Sequence, residues 1–154
     1  PKAYLDRHLD QAGNIAVAGV VYLGPEDLLI DRTWNVTAGG VLIVGGNIDI
    51  RAGIRSAEPL TLVCTENITI DTSEPVEAQL ICLRGKLTPR NAFTIKGGIA
   101  AGEIDLTNMV NAQKKQINWD PRFDPYAVSS AMSAGSPYRY RVSEEEEYVV
   151  EPGK

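Results

Sequence analysis

The stretch GGVLIVGGNIDIRAGI, residues 39–54, decides the fold because its pattern is written again twenty residues later. The second copy is PLTLVCTENITIDTS, residues 59–73. In both copies an apolar run and a polar break precede an Ile-x-Ile triplet, and a shift of twenty places Asn47 on Asn67. The two segments therefore look like one structural unit repeated, rather than two unrelated strands.

Three further segments carry the same pattern with a varying period. The next copy, after an offset of eighteen to nineteen residues, is LICLRGKLTP (80–89). The following copy, after an offset of about seventeen, is FTIKGGIAAGEIDL (93–106). An earlier, degenerate copy is VVYLGPEDLLID (20–31). Stacked strands must stay in register, whereas the loops between them tolerate insertions and deletions. A strand pattern that recurs along the chain with a variable period is therefore typical of a solenoid.

A coil of this length cannot bury its own apolar face, so neighbouring coils must stack to do it. We predict an all-β fold, a single-stranded parallel β-helix of about 4–5 coils with a short N-terminal helix and a capping C-terminal tail. An antiparallel sandwich also accommodates short strands at this spacing. The recurrence of whole units, without Asn-Gly or Asp-Gly hairpin signals between them, favours the β-helix.

The repeat predicts which side chains point inwards and where the chain turns. We expect glycine corners at Gly45-Gly46, Gly97-Gly98 and Gly102, since glycine suits tight turns. The expected inner ladder consists of Ile48, Ile50, Ile68, Ile70, Leu87, Ile104 and Leu106.

Three regions follow from this pattern. Residues 1–14 form an N-terminal helical cap, because Leu5 and Leu9 recur at helical spacing. Residues 15–110 form the coils, and residues 111–154 form an irregular C-terminal segment with an acidic tail. We expect aromatic residues of that segment to pack against the coils, namely Trp119, Phe123 and Tyr126.

Composition excludes several classes of function. The net charge of −5 and the scattered basic residues argue against a nucleic-acid or anionic-membrane surface. No apolar stretch approaches the length of a membrane-spanning helix, so we expect no membrane segment in this chain. Since the chain begins at Pro1 rather than at a methionine, we expect a processed product or a part of a longer protein.

The two cysteines, Cys64 and Cys82, occupy the same position in the repeat. We therefore expect them to be neighbours on adjacent coils. Their spacing fits no metal motif. Two buried thiols are the first interpretation and a disulfide is the second.

The acidic residues of the repeat suggest a surface rather than an active site. Asp49 and Asp105 occupy equivalent positions, with Thr69 and Thr88 between them, and Asp71 follows a repeated strand. An outward ladder of this kind is typical of a solvated face. A glycosidase carboxylate pair and a calcium site are the alternatives, although neither has a sequence signature here.

The remaining motifs also lack a signature of chemistry. The single histidine, His8, has no motif that pairs it with a nucleophile. EEEE (144–147) is typical of a solvated acidic run, and YRYR (138–141) of an edge strand. The sequence therefore assigns no catalytic, cofactor-binding or metal-binding residue, and predicts no cofactor.

The order of the segments resembles the β-solenoid ectodomains of bacterial pilus-assembly proteins of the PilX-like type. IAAGEIDL (99–106) is similar to their closing coil and INWDP (117–121) to the strand that follows it. The resemblance covers roughly residues 15–125 and is shared with bactofilin-like and adhesin solenoids. It implies an extracellular or cell-envelope location, a structural or adhesive role, and no catalytic residues.

The sequence favours a non-enzymatic surface or pilus-associated structural, adhesive or assembly module. Its partners would be proteins or further copies of the chain, bound through solenoid ends or faces, or a surface glycan. One alternative is a glycan-binding or glycan-cleaving β-helix. Another is a bactofilin-like cytoskeletal solenoid that assembles with itself.

Overall fold

A computed structural model describes residues 1–107 and 114–123, and the backbone of two strands at 138–142 and 148–152. The chain divides into two compact units, Pro1–Asp124 and Pro125–Lys154. The first unit is a β-solenoid of about five turns of mostly parallel strands, preceded by one short helix. The predicted fold class is therefore confirmed.

The first unit begins with helix α1, which spans Lys2–His8. A 3-10 turn at Pro121–Phe123 follows its last strand. The strands are β1 (Asn14–Tyr22), β2 (Leu28–Ile30), β3 (Trp34–Val44), β4 (Ile48–Ile50), β5 (Ile54–Ser56), β6 (Leu60–Cys64), β7 (Ile68–Ile70), β8 (Pro75–Glu77), β9 (Gln79–Cys82), β10 (Lys86–Pro89), β11 (Phe93–Lys96), β12 (Ile99–Ala100), β13 (Glu103–Ile104) and β14 (Lys115–Asn118).

These strands stack into three parallel faces. The first face contains the start of β3 followed by β5, β8, β11 and β14. The second face contains the end of β3 followed by β6, β9 and β12. The third face contains β2, β4, β7, β10 and β13. Strand β1 pairs with both halves of β3 and so begins the first and second faces.

The register of the strands is the register that the repeat predicts. On the third face Ile48 lies beside Ile68, and Ile68 lies beside Leu87. On the second face Cys64 is the partner of both Val44 and Cys82. The repeat of about twenty residues therefore corresponds to one turn of the solenoid.

The inner ladder is buried along most of its length. Ile68 is fully buried, and its neighbours Ile48 and Leu87 are 1% exposed. Ile104 continues the ladder beside Leu87 but is 43% exposed. Leu106 is also 43% exposed, so the expectation that both residues lie inside the stack is wrong. They belong to the last turn, where no further described coil covers them.

The predicted glycine corners lie between strands. Gly45 and Gly46 connect β3 to β4, and Gly102 connects β12 to β13. Gly97 has a φ of +150°, and a Cβ atom there would collide with the carbonyl oxygen of Ala78. At this corner the close approach of two coils therefore requires glycine.

The N-terminal helix is shorter than the predicted cap, and the coils extend further along the chain than predicted. Helix α1 ends at His8, because Leu9 is extended and forms a bridge with Ile15. At the other end β14 pairs with β11, so the solenoid extends past residue 110 to Asn118. Residues 111–154 are therefore not irregular throughout.

The C-terminal aromatic residues differ in their surroundings. Phe123 is 2% exposed and packs into the core, as predicted. Trp119 is 66% exposed, so the expectation that it packs against the coils is wrong. Tyr126 lies outside the described residues.

The second unit contains two antiparallel strands, β15 (Tyr138–Val142) and β16 (Tyr148–Pro152). The motif YRYR (138–141) lies within β15, which agrees with a strand at that position. The acidic run at 144–147 lies outside the described residues.

The ladder predicts a contrast between two isoleucines of the same column. Replacing the buried Ile68 with alanine should lower the free energy of unfolding by about 2–5 kcal/mol, because a cavity remains between two coils. Ile104→Ala should cost less than half as much, since Ile104 is already half solvated. Ile68→Asp should abolish the cooperative transition, because an unpaired charge would enter the stack. Urea unfolding followed by circular dichroism measures all three, and equal losses for the two alanine variants would contradict the register.

Candidate functional site

A ladder of polar side chains holds the corner before the third face. The backbone N–H of Asn47 donates to Oδ1 of Asp27 at 2.7 Å, and the N–H of Asn67 donates to Oδ1 of Asn47 at 3.1 Å. The N–H of Lys86 continues the series by donating to Oδ1 of Asn67 at 3.1 Å. Since each side chain satisfies the backbone of the next coil, these residues serve the stack rather than a ligand.

Two glutamates bind backbone groups of the preceding coil. Oε2 of Glu74 accepts hydrogen bonds from the N–H of Gly53 at 2.6 Å and from Oγ1 of Thr33 at 3.0 Å, which ties three successive coils together. Oε2 of Glu77 accepts from the N–H of Ser56 at 2.8 Å. The other oxygen of Glu77 is paired with Nζ of Lys96 at 3.0 Å.

The electrostatics of these carboxylates follow from their hydrogen bonds. The pKa of Glu74 is lowered, chiefly because the Gly53 amide donates to the ionised carboxylate. The pKa of Asp105 lies well below its usual range because Lys86 and Thr107 both donate to it. Nζ of Lys86 lies 2.8 Å from Asp105 Oδ2. Both carboxylates are therefore ionised at neutral pH, unlike a general acid, which needs a raised pKa.

The acidic residues singled out by the repeat lie on the third face. Asp49 pairs with Thr69, and Thr69 pairs with Thr88, so the predicted outward column exists. The carboxylate of Asp49 forms an ion pair with Arg51 at 2.6 Å. Asp71 follows β7 and accepts a hydrogen bond from the side chain of Asn91.

The other candidate groups are dispersed. The ring of His8 stacks on that of Tyr4, with centroids 4.1 Å apart. A groove of about 670 Å³ lies beside α1 and is lined by both acidic and basic residues, among them Asp31 and Arg32. Within the described ranges, no group of three or more His, Cys, Asp and Glu side chains is arranged to hold a metal ion.

The two cysteines are buried neighbours with free thiols, which corresponds to the first of the two interpretations above. Both sulfur atoms approach the carbonyl oxygen of Glu66, at 3.6 Å for Cys64 and 2.5 Å for Cys82. Burial, together with the neighbouring Cys82, raises the pKa of Cys64 to about 12. The thiol of Cys64 is therefore protonated and unreactive at neutral pH.

The second face carries apolar side chains on its outer surface. Its central inner residues, Leu42, Leu62 and Leu80, are 1% exposed or less. The residues between them point outwards in two columns. One column contains Val20, Val41, Thr61 and Gln79, and the other contains Tyr22, Ile43, Val63, Ile81 and Ala100.

None of these nine outward residues is charged. Val20 is 71% exposed and Tyr22 is 63% exposed, so the surface is open to solvent at its β1 edge. Exposed apolar patches bounded by polar residues commonly mark interaction sites. We call this surface the apolar face.

The last turn presents a second exposed apolar surface, which we call the open end. It consists of β12, β13 and β14, each of which pairs with one strand of the turn before it. Among the described strands none pairs with their outer edges. Ile117 stacks on the fully buried Ile95 but is itself 48% exposed.

Comparison with family models, with curated proteins and with solved structures finds no match to this chain. In the part of the chain that the structure describes, no helix has the length and apolar character needed to span a membrane.

Sequence reasoning missed both exposed surfaces. The sequence did not reveal the apolar face, because the outward side chains of β6 (LTLVC) differ little in polarity from its buried ones. Strands that are apolar on both sides look like core strands. The sequence did not reveal the open end because the pattern around Ile104 equals that of its buried counterparts, and only the structure shows that no described strand follows β13 on the third face.

The hydrogen bonds of Glu74 predict a pH dependence. Since its pKa is lowered from 4.5 on folding, Glu74 contributes stability above that pH, and the contribution is lost as the pH falls through the folded-state pKa. The difference in unfolding free energy between the wild type and Glu74→Gln should therefore be largest near pH 7 and should shrink towards pH 3. Thermal unfolding at a series of pH values measures it, and a constant difference would contradict the assignment.

The buried thiols predict a contrast in reactivity. A thiol reagent such as Ellman's reagent should modify both cysteines at once in denaturant, and neither at an appreciable rate in the folded protein at pH 7.5. Cys82→Ser serves as the control, since the remaining Cys64 should stay protected. Rapid native modification of Cys64 would contradict the burial of that coil.

Proposed function

We propose that the chain is a non-enzymatic module of a bacterial cell surface or pilus, with a structural, adhesive or assembly role. The apolar face supports this proposal most directly. It offers the aliphatic side chains of Val41, Ile43 and Val63 in outward columns that contain no charged residue. Such a surface suits contact with the apolar side chains of another protein.

The polar groups of the solenoid also support a structural role. Asp27, Asn47, Asn67 and Glu74 use their oxygens to bind the backbone of adjacent coils. An active site needs polar groups that are free to meet a substrate. In this solenoid those groups hold the scaffold together.

A protein partner fits the apolar face better than a glycan does. Sugar hydroxyls need hydrogen-bonding groups for recognition, and the outward columns offer Thr61 and Gln79 among mostly aliphatic side chains. Their one aromatic ring belongs to Tyr22, at the edge of the face. The resemblance to pilus-assembly ectodomains adds an extracellular or envelope location to the proposal.

The location is tested by antibody labelling of intact and permeabilised bacteria that produce the full-length protein. Labelling of intact cells is expected, whereas labelling only after permeabilisation would contradict a surface role. A glycan array with a hydrolase and lyase screen tests the enzyme alternative. Turnover that is lost in Asp49→Asn or Asp71→Asn would overturn the non-enzymatic proposal.

A charge on the apolar face should reduce attachment. Val63→Glu should lower the attachment of producing cells, or the number of their surface pili, by about tenfold, since burying an unpaired carboxylate at an interface costs on the order of 1 kcal/mol or more. Thr94→Glu, an outward residue of the first face, is the matched control. Unchanged unfolding midpoints are required of both variants, and equal effects on attachment would contradict a role for the apolar face.

A further inference from the structure

Cys64 and Cys82 are adjacent members of one inner column of the second face. Their Cα atoms are direct partners in the pairing of β6 with β9, and the residue before them in the column is Val44. Both side chains belong to the core, where Cys64 is fully buried and Cys82 is 4% exposed. The chain contains two cysteines, so each thiol has the other as its partner within the molecule.

The separation of the two residues suits a disulfide bond. Paired strands of a sheet lie about 4.8 Å apart, which falls within the Cα separation of about 4.4–6.8 Å found in disulfides. Both sulfur atoms also approach one acceptor, the carbonyl oxygen of Glu66, so the two side chains converge. The strand pairing of the solenoid therefore brings the two cysteines to the separation that a disulfide needs.

We propose that Cys64 and Cys82 form a disulfide between adjacent coils when the chain folds in an oxidising compartment, and that the solenoid with free thiols is the reduced form of the same fold. This inference rests on the proposed cell-surface location, because disulfides form and persist in compartments outside the cytosol.

Burial determines when the bond can form. In the folded, reduced protein both thiols are enclosed, and Cys64 is protonated at neutral pH because burial raises its pKa. Attack on an external disulfide needs an accessible thiolate. In the unfolded chain the thiols are open to solvent, where a cysteine has a pKa of about 8.5. The oxidation state is therefore set while the coils assemble, and it is kept after they stack.

A low-molecular-weight disulfide such as oxidised glutathione is the oxidant. One cysteine thiolate attacks a sulfur atom of glutathione disulfide, which breaks its S–S bond and releases one glutathione thiolate. The second cysteine thiolate then attacks the protein sulfur of this mixed disulfide and releases the second glutathione. The two cysteines thereby lose two electrons and two protons, and two molecules of reduced glutathione receive them.

The bond ties together the two coils that contain β6 and β9. It closes a loop of one solenoid turn, and a cross-link of that length removes conformational entropy from the unfolded chain. We expect the unfolding midpoint of the oxidised form to lie about 5–10 °C above that of the reduced form.

Refolding of the denatured, reduced protein in two glutathione buffers tests the proposal, with one buffer rich in oxidised and the other in reduced glutathione. Alkylation by iodoacetamide in denaturant, followed by intact-mass spectrometry, then counts the free thiols. Protein from the oxidising buffer should take up no label, as a monomer without bound glutathione. Protein from the reducing buffer should be labelled at both Cys64 and Cys82.

The double variant Cys64→Ala with Cys82→Ala is the matched control, since it has no thiol to oxidise. Its unfolding midpoint should be the same after refolding in either buffer, whereas that of the wild type should differ. Free thiols, glutathione adducts or cross-links between chains in wild-type protein from the oxidising buffer would overturn the pair. An oxidised form that melts no higher than the reduced form would overturn its stabilising role.

The order of events is tested on the folded, reduced protein. Oxidised glutathione added without denaturant should leave both thiols free over the time in which refolding protein becomes fully oxidised. Oxidation of the folded and the refolding protein at equal rates would contradict a state that is set during folding.

The thiols of the full-length protein in producing cells separate this inference from the location on which it rests. After acid quenching and alkylation, protein from the cells should take up no label. Free thiols in cells, together with a disulfide in the oxidising buffer, would contradict the surface location and leave the pair intact. Free thiols in both would overturn the pair, whereas the antibody labelling of intact cells does not depend on it.

Discussion

The in-register stacking of parallel coils is the constraint on which the rest of the structure depends. A coil of about twenty residues has no interior of its own, so Ile68 is buried only because Ile48 lies on one side of it and Leu87 on the other. Every inner residue is in this way both supported by the previous turn and needed by the next. This mutual dependence fixes the spacing of the apolar residues while it leaves the corners free to vary in length.

The fold could be predicted because in-register stacking makes the apolar residues recur at a regular spacing in the sequence. The Ile-x-Ile triplets and the Cys64–Cys82 alignment recur at the period of the turn, and the structure pairs them accordingly. The contacts of Glu74 produce no repeating pattern in the sequence, because Glu74 lies in a corner of variable length and binds Thr33, which is 41 residues away. The limits of the stack were also missed. Lys115–Asn118 carries no Ile-x-Ile triplet, and pairing with β11 determines its conformation.

The same constraint determines which polar groups remain for function. Each turn brings backbone amides to the corners, where they need acceptors from the neighbouring coil, and Asp27, Asn47 and Glu74 supply them. The stacking of the coils therefore engages, in structural hydrogen bonds, the carboxylate and amide side chains that would otherwise be the first candidates for an active site. Outward side chains in the middle of a strand are not needed to bind backbone amides at the corners. On the second face those side chains are mostly aliphatic. The apolar face of the second sheet is therefore a better candidate for a functional surface than the carboxylates of the third face.

A solenoid has two ends, and nothing in the stacking energy distinguishes them. Each end removes one neighbour from the last inner residue, so each exposes apolar side chains and strand edges unless a separate element covers them. At the first turn α1 supplies that cover, and Ile15 is 1% exposed. At the last turn Ile104 and Ile117 remain about half exposed among the described residues, although their columns are fully buried one or two turns earlier. The column that ends half exposed at Ile104 begins at the fully buried Leu28, so among the described residues the two ends differ in their cover and not in the repeat.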